Sequence, residues 1–253
     1  MNIKLHITAN SDIGSTRELN EDMLLISSKT IRDRSLQETV AINVGASPLC
    51  FAVADGIGGA NAGEVASEFV VDALRSTTSD LPAALGQEEL KRWLKHSALT
   101  INNNMVESAN KRPELRGMGT TLTALILYEE NFYYVHAGDS RLYVLRDGIL
   151  RQITKDHSLR EKTGNTNLPA NLIYNSFGAG DNFFVDVGTV SSKISDGDKI
   201  LLCSDGLTDA VTDELLVSAL HCDSPEEDLV RLALSQGSND NISYILISLE
   251  ISD

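Results

Sequence analysis

Twice in this chain an apolar run ends abruptly in Asp-Gly: Leu49-Cys50-Phe51-Ala52-Val53-Ala54-Asp55-Gly56 and Lys199-Ile200-Leu201-Leu202-Cys203-Ser204-Asp205-Gly206. A strand so uniformly apolar must be covered on both faces, so the repeated pattern demands a layered fold with two buried strands. The Asp that ends each strand then sits at the rim of the core. A desolvated carboxylate there costs several kcal/mol unless a cation or hydrogen bonds compensate it. The glycine beside it lets backbone approach closely, so that a carbonyl can reach a metal. Asp-Gly is also a common turn dipeptide, so either segment alone reads equally well as a turn. Two of them on equally apolar strands favour a site.

Further strands are expected at Ile3–Thr8, Met23–Ser27, Thr121–Tyr128, Phe132–Ala137, Leu142–Arg146, Phe183–Gly188 and Ser243–Ile251. Val65, Ala66, Phe69, Val70, Ala73 and Leu74 form the apolar stripe of one long helix, and Leu90 to Met105 that of a second, from about Gln87 to Asn110. Shorter helices open at Thr212-Asp213-Glu214 and at the capping box Ser224-Pro225-Glu226-Glu227. Strands follow one another in hairpin-like groups, with Asn131 and Asp147-Gly148 at turn positions, which predicts antiparallel sheets with helices outside them. No linker divides residues 1–253, so a single domain is expected. Lys29–Pro48 reads as a loop or hairpin excursion, either for docking a partner or simply solvated, and Ser158–Ala170 as a loop.

Three other acidic groups stand at strand or turn boundaries: Glu21-Asp22, Asp139 and Asp240. Singly each reads as a turn residue. Together they form an oxygen-only ligand set, with no His or Cys at ligand spacing, which suits Mg²⁺ or Mn²⁺ and disfavours zinc or copper. The 36 Asp and Glu against 21 Lys and Arg give a net charge of −15, which argues against a nucleic-acid or anionic-membrane partner. No apolar run approaches the roughly 18 residues of a membrane helix, and no signal peptide is evident. Cys50, Cys203 and Cys222 form no Cys-x-x-Cys pair, as expected of buried thiols in a reducing cytoplasm.

Seven blocks then fall in one order: Arg17-x-x-Asn20-Glu21-Asp22, Val53-Ala54-Asp55-Gly56-x-Gly58-Gly59, Gly117-Met118-Gly119-Thr120-Thr121, Gly138-Asp139-Ser140-Arg141, Asp156-His157-Ser158, Ser204-Asp205-Gly206 and Asp240-Asn241. In these the chain resembles the metal-dependent serine/threonine protein phosphatases of type 2C, in their short bacterial form. The resemblance implies an α+β fold, a four-layer sandwich of two antiparallel sheets flanked by helices. It implies two tightly bound Mn²⁺ or Mg²⁺ ions, bridged by Asp55, with the Gly56 carbonyl on one and Asp205 and Asp240 on the other. Asp22 and Glu21 orient waters or complete the shell, and Arg17 grips the substrate phosphate. Asp139 matches the position that, with Asp205, holds a third, weaker ion. Asn241 and Ser204 match supporting positions.

Ile57 stands where many relatives carry a His that is a candidate general acid. His136 and His157 lie inside family blocks and read as structural. The segment 159–175 matches the flap beside the site, here shortened. The implied activity is hydrolysis of phosphoserine and phosphothreonine in proteins, opposing a bacterial serine/threonine kinase in signalling, by a cytoplasmic monomer. Two other readings were weighed: a non-catalytic binding module, disfavoured by the intact acidic set, and a calcium-binding protein. For the latter, Asp196-Gly197-Asp198 does not continue as an EF-hand loop.

Overall fold

A computed structural model of the chain describes residues 2–42, 48–58, 62–190, 195–221 and 226–252. Cys222, Gly59 and the expected cap at Ser224-Pro225 lie outside them. Fourteen described strands appear in order: β1 Asn2–Asp12, β2 Met23–Ile26, β3 Lys29–Ile31, β4 Arg34–Ile42, β5 Leu49–Ala54, β6 Gly56–Ile57, β7 Gly119–Thr120, β8 Leu122–Tyr128, β9 Asn131–Ala137, β10 Arg141–Arg146, β11 Ile149–Gln152, β12 Asp186–Thr189, β13 Lys199–Cys203 and β14 Ile242–Ser252. The described helices are α1 Ala62–Ser79, α2 Gln87–Lys111, α3 Leu159–Thr163, α4 Asp205–Thr208, α5 Asp213–Leu220 and α6 Glu226–Ser235.

Two six-stranded antiparallel sheets stack face to face, one ordered β11-β10-β13-β14-β1-β4 and the other β12-β9-β8-β5-β2-β3. The alternation of side chains explains why β5 and β13 had to be apolar throughout. In β5, Phe51 and Val53 fill the space between the sheets, while Cys50, Ala52 and Ala54 face α1 and α2. In β13, Ile200 and Leu202 face the other sheet, and Leu201 and Cys203 pack under α4, α5 and α6. Helix, sheet, sheet and helix layers result, as expected. Burial pushes the Cys50 and Cys203 thiols up to about 12, which keeps them protonated and inert. Among the described residues no helix is long and apolar enough to cross a membrane.

The helices follow their stripes, with one shift: Ala66, Val70, Val71 and Leu74 of α1 are buried, but Val65 is exposed. Four expectations need correction. Phe183–Gly188 is not one strand; a 3-10 turn at Gly180–Asn182 precedes the shorter β12. Ser158–Ala170 is not wholly loop, because the Ser158 hydroxyl accepts the Glu161 amide and caps α3. Within the 29–48 stretch, residues 29–42 are mostly sheet: β3 pairs with β2, and β4 lines β1 as an edge strand over Ile3–Ser11. The β8–β9 turn is Glu129-Glu130, with Glu129 at φ 56°, and Asn131 already begins β9.

Candidate active site

Antiparallel pairing brings many strand ends to one rim. Met23 at the start of β2 faces Ala54 at the end of β5, and Leu122 at the start of β8 faces Ala137 at the end of β9. In the other sheet, Arg141 at the start of β10 faces Cys203 at the end of β13, and Cys203 faces Tyr244 near the start of β14. Asp22, Asp55, Asp139, Asp205 and Asp240 all lie at these ends. Asp22 shares the parity of Leu24 and Ile26, and Asp55 that of Phe51 and Val53, so both continue rows that face the inter-sheet gap.

Backbone contacts fix the two Asp-Gly corners. The Asp55 amide donates to Thr121 Oγ1 at 3.0 Å, and its carbonyl accepts the Thr121 amide and the Thr120 hydroxyl, each at 2.8 Å. A Cβ on Gly56 would lie 2.2 Å from the Gly63 carbonyl oxygen, and one on Gly206 2.0 Å from that of Asn241. Only glycine allows these approaches. Asn241 staples the preceding loop: its Nδ2 donates to the Ile13 and Leu19 carbonyls at 2.9 and 3.0 Å, and its Oδ1 accepts the Glu21 amide at 2.9 Å. Ser204 Oγ donates across the gap to Asp22 Oδ2 at 2.9 Å.

The carboxylates are uncomfortable together. Burial, then the neighbouring acids, raises Asp55 and Asp139 well above the ordinary carboxylate range. Burial also lifts Asp22 to about 7, against hydrogen bonds from Ser243 and Ser204, and Asp205 to about 6. Asp205 is among the acids that raise Asp55, so the two cannot both carry their charge cheaply without a cation. Asp22 Oδ1 and Asp205 Oδ1 are buried without any hydrogen-bond partner. Among the described residues no three acidic, His or Cys groups are drawn together closely enough to hold an ion as they stand. Oxygen donors with orphaned lone pairs fit hard divalent cations. Arg17 is at the lip, half exposed, with Nη2 2.6 Å from Asp240 Oδ2. A groove of about 380 Å³ runs past Arg17, Asp205, Asp209, Asp240 and Asn171 of the flap. A larger cavity of about 490 Å³ touches Cys50 at the far end of β5, and Glu129 is its only charged lining residue, so it lacks such convergence.

The family model of protein phosphatase 2C matches residues 28–231. The chain belongs to the protein phosphatase 2C family. A serine/threonine phosphatase of Listeria monocytogenes, stp, is 36% identical over 214 residues, covering 79% of this chain and 84% of the relative. The catalytic domain of the serine/threonine protein phosphatase PstP, solved with two manganese ions, superposes with a TM-score of 0.77 at 33% identity, over 98% of this chain and all of that one. The S. agalactiae serine/threonine phosphatase superposes at 0.81 and 27% identity, over 98% of this chain and all of that one. Arg17, Glu21, Asp22 and Asp240 lie outside the matched family span.

Two features of this protein phosphatase 2C chain sharpen the sequence reading. His157 and His136 are buried braces, absent from the groove lining. His157 Nδ1 faces two donors, the Gly138 amide at 3.2 Å and Asn175 Nδ2 at 2.8 Å, so its proton sits on Nε2, 3.2 Å from Asp186. Asp209 was missed. It follows Asp205 by one helical turn, lines the groove, and adds its charge to those raising Asp205 and Asp139. The four-residue spacing of Asp205 and Asp209 was the available signal.

Four raised carboxyls make the metal-free fold bind more protons than the unfolded chain between about pH 4 and 7. A group raised in the fold contributes stability that is full below its unfolded value and is lost as pH climbs through the folded one. His136, lowered to about 4 by burial, works the other way below 6.5, one group against these four and the raised Glu21 and Asp209. Protein in EDTA should therefore melt lower at pH 8 than at pH 5.5, and Mn²⁺ should abolish the difference. A melting temperature in EDTA that rises over this interval contradicts the account.

Proposed function

We propose that this chain hydrolyses phosphoserine and phosphothreonine in proteins, as the names of its relatives say of them, and that it opposes a serine/threonine kinase in a reducing cytoplasm as a monomer. One observation carries the reading: Asp22 and Asp205, at the rims of the two sheets, each keep a buried carboxylate oxygen without a hydrogen-bond partner, and Arg17 stands nearby against Asp240. Asp55, the Gly56 carbonyl, Asp205 and Asp240 would hold two Mn²⁺ or Mg²⁺ ions, with Asp22 and Glu21 completing the shell. When bound, such ions supply a water acidic enough to attack phosphorus near neutral pH. Arg17 offers planar paired donors to the phosphate and orients it toward the cluster. Given Mn²⁺, the protein should release phosphate from phosphothreonine and phosphoserine peptides. Hydrolysis of phosphotyrosine peptides alone would refute the assignment.

Arg17→Ala should raise KM roughly tenfold or more, with a smaller loss in kcat, because the phosphate is charged in ground and transition states alike. An unchanged KM would make Arg17 a partner of Asp240 only.

Asp139 is proposed to share a third ion with Asp205 and Asp209. The turn itself does not depend on this side chain. The Gly138 carbonyl is held by the His157 amide at 2.7 Å, the Ser140 carbonyl by Thr123 Oγ1 at 2.8 Å, and Ser140 Oγ lies 2.7 Å from Thr121 Oγ1. Asp139→Ala should therefore melt close to the wild type and still bind two Mn²⁺ ions. An ion held by these residues would supply an acidified water as a proton source, which Ile57 cannot be. Hydrolysis of a phosphothreonine peptide should then fall further than that of p-nitrophenyl phosphate, whose leaving group needs no proton. Equal losses on both substrates would remove that role.

A further inference from the structure

The segment 29–48 reaches into the support of the cluster. Arg32 and Asp33 join β3 to β4, and Asp33 takes a left-handed backbone at φ 55°. This turn lies against the loop that carries Arg17, Glu21 and Asp22. Asn20 Nδ2 donates to Asp33 Oδ1 at 2.8 Å, and Arg32 Nε donates to the Asp22 carbonyl at 2.9 Å. Arg32 Nη2 donates to the Glu64 carbonyl and to Ser67 Oγ, each at 3.0 Å, and Nη1 to the Glu64 carboxylate at 3.1 Å. Ser67 Oγ then donates to the Glu21 carbonyl. The Arg32 side chain is only 15% exposed. A charge so far out of water is tolerated when its donors are used, and here all three guanidinium nitrogens have partners.

We infer that Arg32 is a positioning residue for the proposed metal centre: it fixes the backbone of Asp22 directly and that of Glu21 through Ser67, and so sets where both carboxylates point. The inference rests on the metal-dependent reading given above. The Glu21 carbonyl also accepts the Gly56 amide at 3.2 Å, so a shift at Glu21 passes to the Asp55-Gly56 corner. Only a planar fork can serve the Asp22 carbonyl, the Glu64 carbonyl and the Glu64 carboxylate at once, so lysine cannot stand in.

Arg32→Met keeps an unbranched apolar stem and removes the fork. Ser67→Ala removes the link to Glu21 and one of Arg32's partners while leaving the Arg32 contacts to Asp22 and Glu64, and serves as the test if the first variant fails to fold. Titration calorimetry with Mn²⁺ on the whole chain, melting in EDTA and steady-state kinetics on p-nitrophenyl phosphate give the readouts. Arg32→Met should bind Mn²⁺ about tenfold to a hundredfold more weakly, the usual consequence of losing a support behind a ligand. Its kcat should fall, while KM stays within about twofold because Arg17 is untouched. Ser67→Ala should move affinity and kcat in the same direction by less. Wild-type Mn²⁺ affinity in whichever variant folds, even with a lowered melting temperature, would show mere packing and overturn the inference. A wild-type chain that takes up no Mn²⁺ would overturn the metal-centre reading and this inference together.

Discussion

Protein stripped with EDTA should show no turnover of p-nitrophenyl phosphate above the chelated blank, and Mn²⁺ or Mg²⁺ should restore it in full. The reason lies in what the chain offers without ions. Among the described groove-lining residues the only cation is Arg17, and no Ser, Cys or His pair is placed there as nucleophile and base. Cys50 and Cys203 are buried and held as thiols. Undiminished turnover in the stripped protein would end the metal-dependent account. Restoration by Mn²⁺ should also raise the melting temperature, because ions that bind only the folded state stabilise it by mass action.

Asp55→Asn should lower kcat by about a thousandfold, roughly 4 kcal/mol in barrier height. The substitution keeps shape and removes the charge at the centre of the cluster. It should also leave the metal-free fold at least as stable as the wild type at pH 8. Asp55 is half-buried, and desolvation together with Asp205, Asp22 and Asp139 pushes it far up, so a neutral amide relieves the repulsion. Loss of catalysis with a gain in metal-free stability is the combination expected of a residue kept for chemistry rather than for folding. A variant that loses both would show that Asp55 supports the fold. One that keeps turnover would move the cluster's centre elsewhere.

The parts of the molecule legible beforehand were those where one physical demand dominates. The strands β5 and β13 were visible because burial on both faces leaves room for nothing but apolar residues. The α2 stripe from Leu90 to Met105 was visible because a long helix repeats its period often enough to stand out. The short strands β3, β6, β7 and β11 were not, since two to four residues carry no period. The nine-residue β4 escaped for a different reason. As an edge strand with its outer row in water, it alternates charged and polar residues such as Arg34, Gln37 and Thr39 among half-buried Leu36 and Val40, and so resembles a loop. Motif order named Asp22, Asp55, Asp139, Asp205, Asp240 and Arg17, but not Asp209, which no motif block contains. Arg32 was invisible: its partners are backbone carbonyls, which any sequence supplies.

β1 and β14 lie side by side in the middle of one sheet, in register from Asn2 with Ser252 to Asp12 with Ile242. During synthesis, then, the sheet that presents Asp205 keeps an open seam until the last strand has been made. Asp240 and Asn241 arrive just ahead of that strand, and Asn241 is the staple that gathers the loop bearing Arg17 and Glu21. A nascent chain therefore cannot assemble the acidic cluster early, however much Mn²⁺ surrounds the ribosome. Contacts this distant in sequence close slowly, and they close the fold and the site in one event.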